Sequence, residues 1–296
     1  RESSRPLKES ISDSNSMLFN SIEFIVFFPS VFSCYWFLKK ALYQNIFLTI
    51  ASYVFYGWWD WRFLGLIIFS TVLDFFIGKS LAKTTHELNR KLLLYTSVAV
   101  NLGFLGIFKY FDFFVSNFID AFSLFGVELS AGSLNIILPV GISFYTFQTL
   151  SYSIDVYRRK LKHTDDFIAF SAFVCFFPQL VAGPIERATN LLPQFLKARK
   201  FNYDQAADGM RQILWGLFKK VVVADNCAVF VNAIFDNPDP LSGSTLFMGA
   251  VLFAFQIYGD FSGYSDIAIG TSRLFNINLK QNFATPYFSR NIGEFW

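Results

Sequence analysis

Charge is scarce in this sequence: Lys, Arg, Asp and Glu make up 16% of its 296 residues and leave a formal net charge of +3. That balance, with no long basic stretch, excludes a nucleic-acid-binding chain. Histidine is rarer still. His86 in "AKTTHELNRK" and His163 in "RRKLKHTDD" both fall in charged loops, without a base or metal partner at useful spacing. The three cysteines, Cys34, Cys175 and Cys227, are odd in number, widely spaced and set in or beside apolar runs. They support neither a disulfide framework nor a thiolate metal site and read as small core hydrophobes. No glycine-rich phosphate loop, G-x-S-x-G elbow, C-x-x-C or H-E-x-x-H is present, so the motif signatures of soluble enzymes are lacking.

Apolar residues take the place of charge. They form 53% of the chain, 20% is aromatic, and 40 residues are phenylalanine. They arrive in runs near 22–38, 41–59, 63–77, 92–108, 134–155, 168–183, 213–235 and 245–270. A helix crossing the hydrocarbon core needs about 20 residues, or about 17 at the short end, so most runs qualify and 63–77 is marginal. Open sheets cannot exist in lipid. The expected fold is therefore all-α, a polytopic transmembrane helical bundle.

Basic residues orient it. Lys39 and Lys40, then Lys79, Lys83, Arg90 and Lys91, then Arg158, Arg159, Lys160 and Lys162 follow the first, third and fifth runs. Asp112, Asp120 and Glu128 dominate 109–133, and Asp236 and Asp239 dominate 236–244. Alternation then puts the N-terminus outside and 39–40, 78–91 and 156–167 in the cytoplasm. The run 168–183 breaks this pattern, because crossing there would place Arg187, Lys197, Arg199, Lys200 and Arg211 outside. With Pro178 and Gly183-Pro184 it is expected to be re-entrant, since freed backbone groups need a protein-lined or wet cavity. Residues 189–203 are expected to lie as an interfacial helix, Leu191, Leu192, Phe195 and Leu196 toward lipid and Lys197, Arg199 and Lys200 toward headgroups. Residues 1–16 are polar and read as a disordered leader that need not be native, with Met17 a candidate start. Residues 17–296 read as one membrane domain, and "NIGEFW", lacking a helix stop, as a truncated end.

Ionisable residues at bilayer depth cost at least about 2.5–3.5 kcal/mol on insertion scales and are expected to face protein or water. Glu23 sits at the end of its run. Asp74 is placed to pair with Lys79. Gln148, Ser151, Tyr152 and Asp155 form one helical stripe, which suits either interhelical hydrogen bonding or a tunnel wall. In "YGDFSGYSDIAIG", 258–270, Gly259 and Gly263 allow close approach of another helix. Asp260 and Tyr264 share one face, and Ser262, Asp266 and Gly270 a second. These acids line a passage or are satisfied by a neighbouring helix.

Three motifs, "FFPQLVAGPIERATNLLPQF", "YGDFSGYSDIAIG" and "LFNINLKQNFATPYFSRNIGEFW", closely resemble the membrane-bound O-acyltransferase family, in its bacterial alginate O-acetyltransferase-like branch. "FPSVFSCYWFL", "SYVFYGWWDWRFL" and "LPVGISFYTFQTLSYSIDVYRRK" are similar too, so the resemblance covers about 17–296. It implies a helical bundle enclosing a tunnel in the inner (cytoplasmic) membrane. An activated acyl donor such as acetyl-CoA would enter on the cytoplasmic side, and a glycan or polysaccharide acceptor on the other. A second extracytoplasmic acyltransferase protein is a further implied partner; no bound cofactor and no metal are implied. The family's catalytic histidine would follow E-F-W in a W-H-x-S stretch. No catalytic residue is therefore expected within 1–296, which alone should transfer nothing. Gln179, Glu186, Arg187, Asp260, Tyr264 and Asp266 become candidates for tunnel lining or support, and Asn282, Tyr287, Ser289 and Arg290 for holding the loop before that histidine. Acyl transfer to a hydroxyl needs a base tuned near neutrality and close placement of the reactants. D-alanyl transfer to a cell-surface polymer, and a transporter or channel using the intramembrane acids, are the alternatives.

Overall fold

A computed structural model describes residues 17–123, 141–180, 183–237, 241–282 and 285–295, and every regular element among them is helical. The leader expected at 1–16 lies outside these residues. In order the elements are α1 (Ile22–Trp36), α2 (Ala41–Asp60), a 3₁₀ turn (Trp61–Phe63), α3 (Leu64–Lys83), α4 (Glu87–Ser123) and α5 (Ile142–Tyr157). There follow α6 (Phe167–Cys175), α7 (Phe177–Leu180), α8 (Ala188–Phe195), α9 (Tyr203–Leu217), a π-helical stretch (Phe218–Ala224), α10 (Asp225–Phe235) and α11 (Gly243–Leu274). A 3₁₀ turn (Pro286–Phe288) and α12 (Ile292–Phe295) complete the described chain.

Among the described residues, three helical stretches are long and apolar enough to cross a membrane: Ala41–Lys83, Glu87–Phe111 and Gly243–Leu274. The first joins two expected runs through the 3₁₀ turn, whose Asp60 carboxylate accepts from the Arg62 backbone N–H at 2.9 Å. α4 departs from expectation. The sequence places a loop from 109, yet the helix continues to Ser123, 37 residues in all. At about 1.5 Å per residue that is about 55 Å, well beyond the hydrocarbon thickness of about 30 Å. Lys109 and Asp112 lie on this continuous helix, so polar residues there do not end it.

The break in alternation resolves geometrically. α6 starts beside the C-terminal end of α3, where Lys79 pairs with Asp165 at 3.0 Å. It has only 9 residues, about 14 Å. At the turn the Phe177 N–H donates to Ser52 Oγ, midway along α2, at 3.1 Å. The chain then returns to the first turn of α2: Asn45 Nδ2 donates to the Phe195 carbonyl at 2.8 Å, and the Arg199 N–H to Gln44 Oε1 at 2.9 Å. The chain thus enters α6 beside the C-terminal end of α3 and, after α8, lies beside the start of α2. The re-entrant tip is held by rings, with Phe177 5.5 Å from Phe27, 5.4 Å from Phe55 and 6.0 Å from Phe275, centroid to centroid. Aromatic pairs in this range add about 0.5–1.5 kcal/mol each beyond burial.

Two expectations need correction. The apolar residues Leu191, Leu192 and Phe195 of α8 are buried against protein rather than presented to lipid. Arg199 is turned inward, where Nε reaches Tyr35 Oη, Nη2 reaches Asn45 Oδ1 at 2.6 Å, and the guanidinium lies 5.3 Å from the Phe195 ring centroid. A planar guanidinium with many fixed donors suits that buried role as a headgroup-seeking lysine would not. Asp74 does not meet Lys79. It is fully buried between α3, α4 and α5 and accepts hydrogen bonds from Ser97 Oγ, from Ser153 Oγ at 2.6 Å and from Asn101 Nδ2 at 2.7 Å.

Candidate functional site

Small residues set the distance between α11 and the rod formed by α9, the π stretch and α10. A Cβ placed on Gly216 would stand 2.6 Å from the Gly263 carbonyl oxygen, and one on Gly270 2.5 Å from that of Gly209. On Gly259 it would meet the Lys219 carbonyl at 3.0 Å. The glycine ridge of "YGDFSGYSDIAIG" is thus matched by glycines seven apart on α9, and the two backbones touch.

That approach brings side chains of opposite sign together. Lys219 Nζ is paired with Asp266 Oδ2 and donates to the Ser262 carbonyl at 3.2 Å, while Gln212 Nε2 donates to Asp266 Oδ1 at 2.9 Å. Lys220 Nζ bridges Asp260 at 2.7 Å and Asp225 at 2.8 Å and sits 5.3 Å from the Tyr264 ring centroid. Adjacent residues on a regular α-helix do not share a face. The wider π turn at Phe218–Ala224 lets both lysines reach α11, in line with the frequent occurrence of π turns at functional positions. The inner pair is almost completely enclosed, with Lys219 10% and Asp266 11% side-chain exposure, whereas Asp260 is 40% exposed.

The remaining candidates divide into two groups. Around the re-entrant segment, Gln148 Nε2 donates to the Phe173 carbonyl at 2.6 Å and to Gln179 Oε1 at 3.3 Å, and both glutamines are buried. Glu186 is also buried; it accepts from Asn190 Nδ2 at 2.9 Å and from the Lys280 backbone N–H. It therefore ties the start of α8 to the irregular segment after α11, reinforced by Gln194 Nε2 on the Asn278 carbonyl at 2.9 Å. Arg187, its neighbour, points outward. Near the end of the described chain, Tyr287 Oη donates to the Ala254 carbonyl at 2.9 Å and its ring lies 5.9 Å from that of Tyr258. Tyr287 thus brings the segment after α11 back against the middle of that helix. A cavity of about 340 Å³ there is lined by Asn282, Thr285, Pro286, Phe288, Ser289, Glu294 and Phe295. The exposed Arg290 reaches Glu294 at 3.3 Å.

The polar stripe of α5 has mixed surroundings. Tyr152 Oη accepts from the Thr164 N–H at 3.3 Å, and Ser151 Oγ donates to the Gln148 carbonyl at 2.8 Å. Asp155 is buried, and its Oδ2 has no hydrogen-bond partner among the described residues. His163 Nε2 lies 3.4 Å from Asp165, and the Lys79 ammonium hydrogen-bonded to that carboxyl holds it below the ordinary carboxylate range.

Lys219, Lys220, Gln212 and Asp225 were not singled out by the motif analysis. The signal was present as "FKKVVVAD", two lysines inside an otherwise apolar run, subject to the same insertion cost that drew attention to the acids.

No family model matches the chain. Curated relatives do. The chain is 40% identical over 283 residues to a probable alginate O-acetylase, AlgI, of Azotobacter vinelandii, covering 95% of this chain and 56% of the relative. To the peptidoglycan O-acetyltransferase of Helicobacter pylori it is 35% identical, covering 95% of this chain and 58% of the relative. A teichoic acid D-alanyltransferase of Bacillus subtilis is more distant, at 29% identity over 55% of this chain and 42% of the relative. The chain spans a little over half the length of the first two relatives. The long shared alignments, the helical architecture and the motifs on α8, α11 and the segment after it agree with the resemblance to the membrane-bound O-acyltransferase family.

Proposed function

We propose that this chain forms part of a multi-pass enzyme of the inner (cytoplasmic) membrane that O-acetylates an extracytoplasmic polysaccharide. The observation that carries the proposal is the similarity, over 95% of the chain, to proteins named as alginate and peptidoglycan O-acetyltransferases. The donor would be an activated acyl compound, acetyl-CoA being the simplest. In the reaction the donor's acyl–sulfur bond breaks and an acyl–oxygen bond forms on an acceptor hydroxyl. The hydroxyl proton passes to a base, and the leaving thiolate takes up a proton. Neither His86 nor His163 is proposed as that base.

Within this scheme the re-entrant segment, with Gln179 and Glu186, borders the donor entrance. Asp260, Tyr264 and Asp266 fix α11 against the π stretch so that the tunnel wall keeps its shape. Asn282, Tyr287, Ser289 and Arg290 steady the segment brought back against α11, and Arg187 adds positive charge at the mouth. A second extracytoplasmic acyltransferase protein would complete delivery to polymer. Acetyl is favoured over D-alanyl transfer because the D-alanyl relative is both less similar and matched over less of the chain. Transport is disfavoured because both acids of α11 are already ion-paired.

The protein expressed from its complete reading frame, in membranes given labelled acetyl donor and unacetylated polysaccharide, should yield alkali-labile, ester-linked label. Label from an activated D-alanine donor instead, or none from either, would overturn the reading.

A further inference from the structure

The connector between α5 and α6 combines an ordered backbone with unspent charge. Its start is clamped because the Asp155 carbonyl accepts from the Lys160 N–H at 2.9 Å and the Leu161 N–H at 3.2 Å. Arg159, at φ 60°, holds the left-handed conformation that reverses the chain. Leu161 packs on the core, and the far end is fastened by Thr164 on Tyr152 and by Lys79 on Asp165. Between these anchors Arg158, Arg159, Lys160 and Lys162 are all exposed, and none of their side chains has a hydrogen-bond or ion-pair partner among the described residues. Elsewhere the structure neutralises comparable groups: Lys79, Lys219, Lys220 and Arg273 each have a carboxylate. Lys83 and Lys91, on the neighbouring α3–α4 side, are exposed too.

We propose that this connector is a docking site for anionic phospholipid headgroups, its four cations arrayed to hold phosphate at the membrane–water boundary. Position and charge both argue for lipid. The cations follow directly on α5, beside the end of the apolar stretch Ala41–Lys83, and a stretch long enough to cross the hydrocarbon would bring its end to the headgroups. A basic cluster immediately flanking a membrane helix attracts anionic lipid, each Lys or Arg changing affinity by about fivefold. A preformed loop also loses little conformational freedom on binding.

The test uses the full chain purified in mixed micelles. Phosphatidylglycerol and, separately, phosphatidylcholine are titrated, and retained lipid is counted by native mass spectrometry at low and high salt. The expected result is at least about a tenfold preference for phosphatidylglycerol, lost at high salt. Arg158→Gln, Lys160→Gln and Lys162→Gln together should abolish it, while Lys197→Gln with Lys200→Gln, which lie off the connector, should not. These side chains have no folded-state partners, so the triple variant is expected to keep the wild-type thermal stability. Equal retention of the two lipids, or undiminished preference in the triple variant, overturns the proposal. Displacement of phosphatidylglycerol by free coenzyme A at equal ionic strength also overturns it, assigning the patch to the acyl donor.

Discussion

Replacing Lys219 by Met removes the ammonium paired with Asp266 and leaves a carboxylate inside the bundle with one neutral side-chain donor among the described residues, Gln212. Both side chains of the pair are about nine-tenths enclosed, so water cannot take over the lost role. Breaking a buried ion pair from one side costs about 3–5 kcal/mol, and Asp266→Leu should cost a similar amount by stranding the lysine. Removing both charges is a different matter. The Lys219→Met, Asp266→Leu double variant keeps the volume and sheds both desolvation costs, leaving the Gln212 amide without its partner; the Ser262 carbonyl also loses the lysine but stays within the α11 backbone ladder. A net hydrogen bond is worth about 0.5–1.5 kcal/mol, so the double variant should fall within about 1–2 kcal/mol of wild type. The coupling energy of the cycle then comes to at least about 4 kcal/mol. Equilibrium unfolding in mixed detergent micelles, followed by tryptophan fluorescence, measures all four proteins. Single variants each within about 1 kcal/mol of wild type would refute the reasoning, as would a double variant that costs the sum of the singles.

Other outcomes follow from the same geometry. Gly216→Ala and Gly270→Ala force the α9 and α11 backbones apart and should destabilise by about 1–3 kcal/mol in that assay. Gly103→Ala, where an added Cβ meets nothing within 4 Å, should instead stabilise by about 0.5–1 kcal/mol. Asp74→Leu removes the acceptor shared by Ser97, Ser153 and Asn101 and should cost about 1–3 kcal/mol. Arg199→Lys cannot meet Tyr35 and Asn45 together and should cost about 2 kcal/mol by the same unfolding measurement. Because Lys79 depresses the Asp165 pKa, the pair stabilises above the ordinary value of 3.8 and fades as pH falls through the lower folded value. In Lys79→Gln the carboxyl should titrate higher by NMR, and an unchanged midpoint would refute the attribution.

Much of this architecture is readable from residue order, since lipid permits few solutions. Apolar run length located α2, α3 and α11, and loop charge pointed to the reversal at 168–183, which the hydrogen bonds to Ser52 and Asn45 then trace along α2. The resemblance marked α8, α11 and the segment behind it. Partner choice was not readable. The sequence offered Lys79 the carboxylate of Asp74, five positions away, and only the packing of α6 against α3 gives it Asp165 instead. Arg199 sits in a basic, headgroup-like string, yet the Tyr35 hydroxyl and the Asn45 amide, more than 150 positions away, draw it inward. The π stretch has no sequence mark at all. Its lysines needed the acids of α11 to explain them, just as the acids needed the lysines.

The most direct test of acyl transfer across the bilayer is sidedness. Sealed vesicles bearing the protein from its complete reading frame would receive labelled acetyl-CoA only on the face carrying residues 158–162, with polysaccharide confined to the opposite face. Ester-linked label on that polysaccharide is the predicted result. Label appearing only when donor and acceptor share a face would contradict the account.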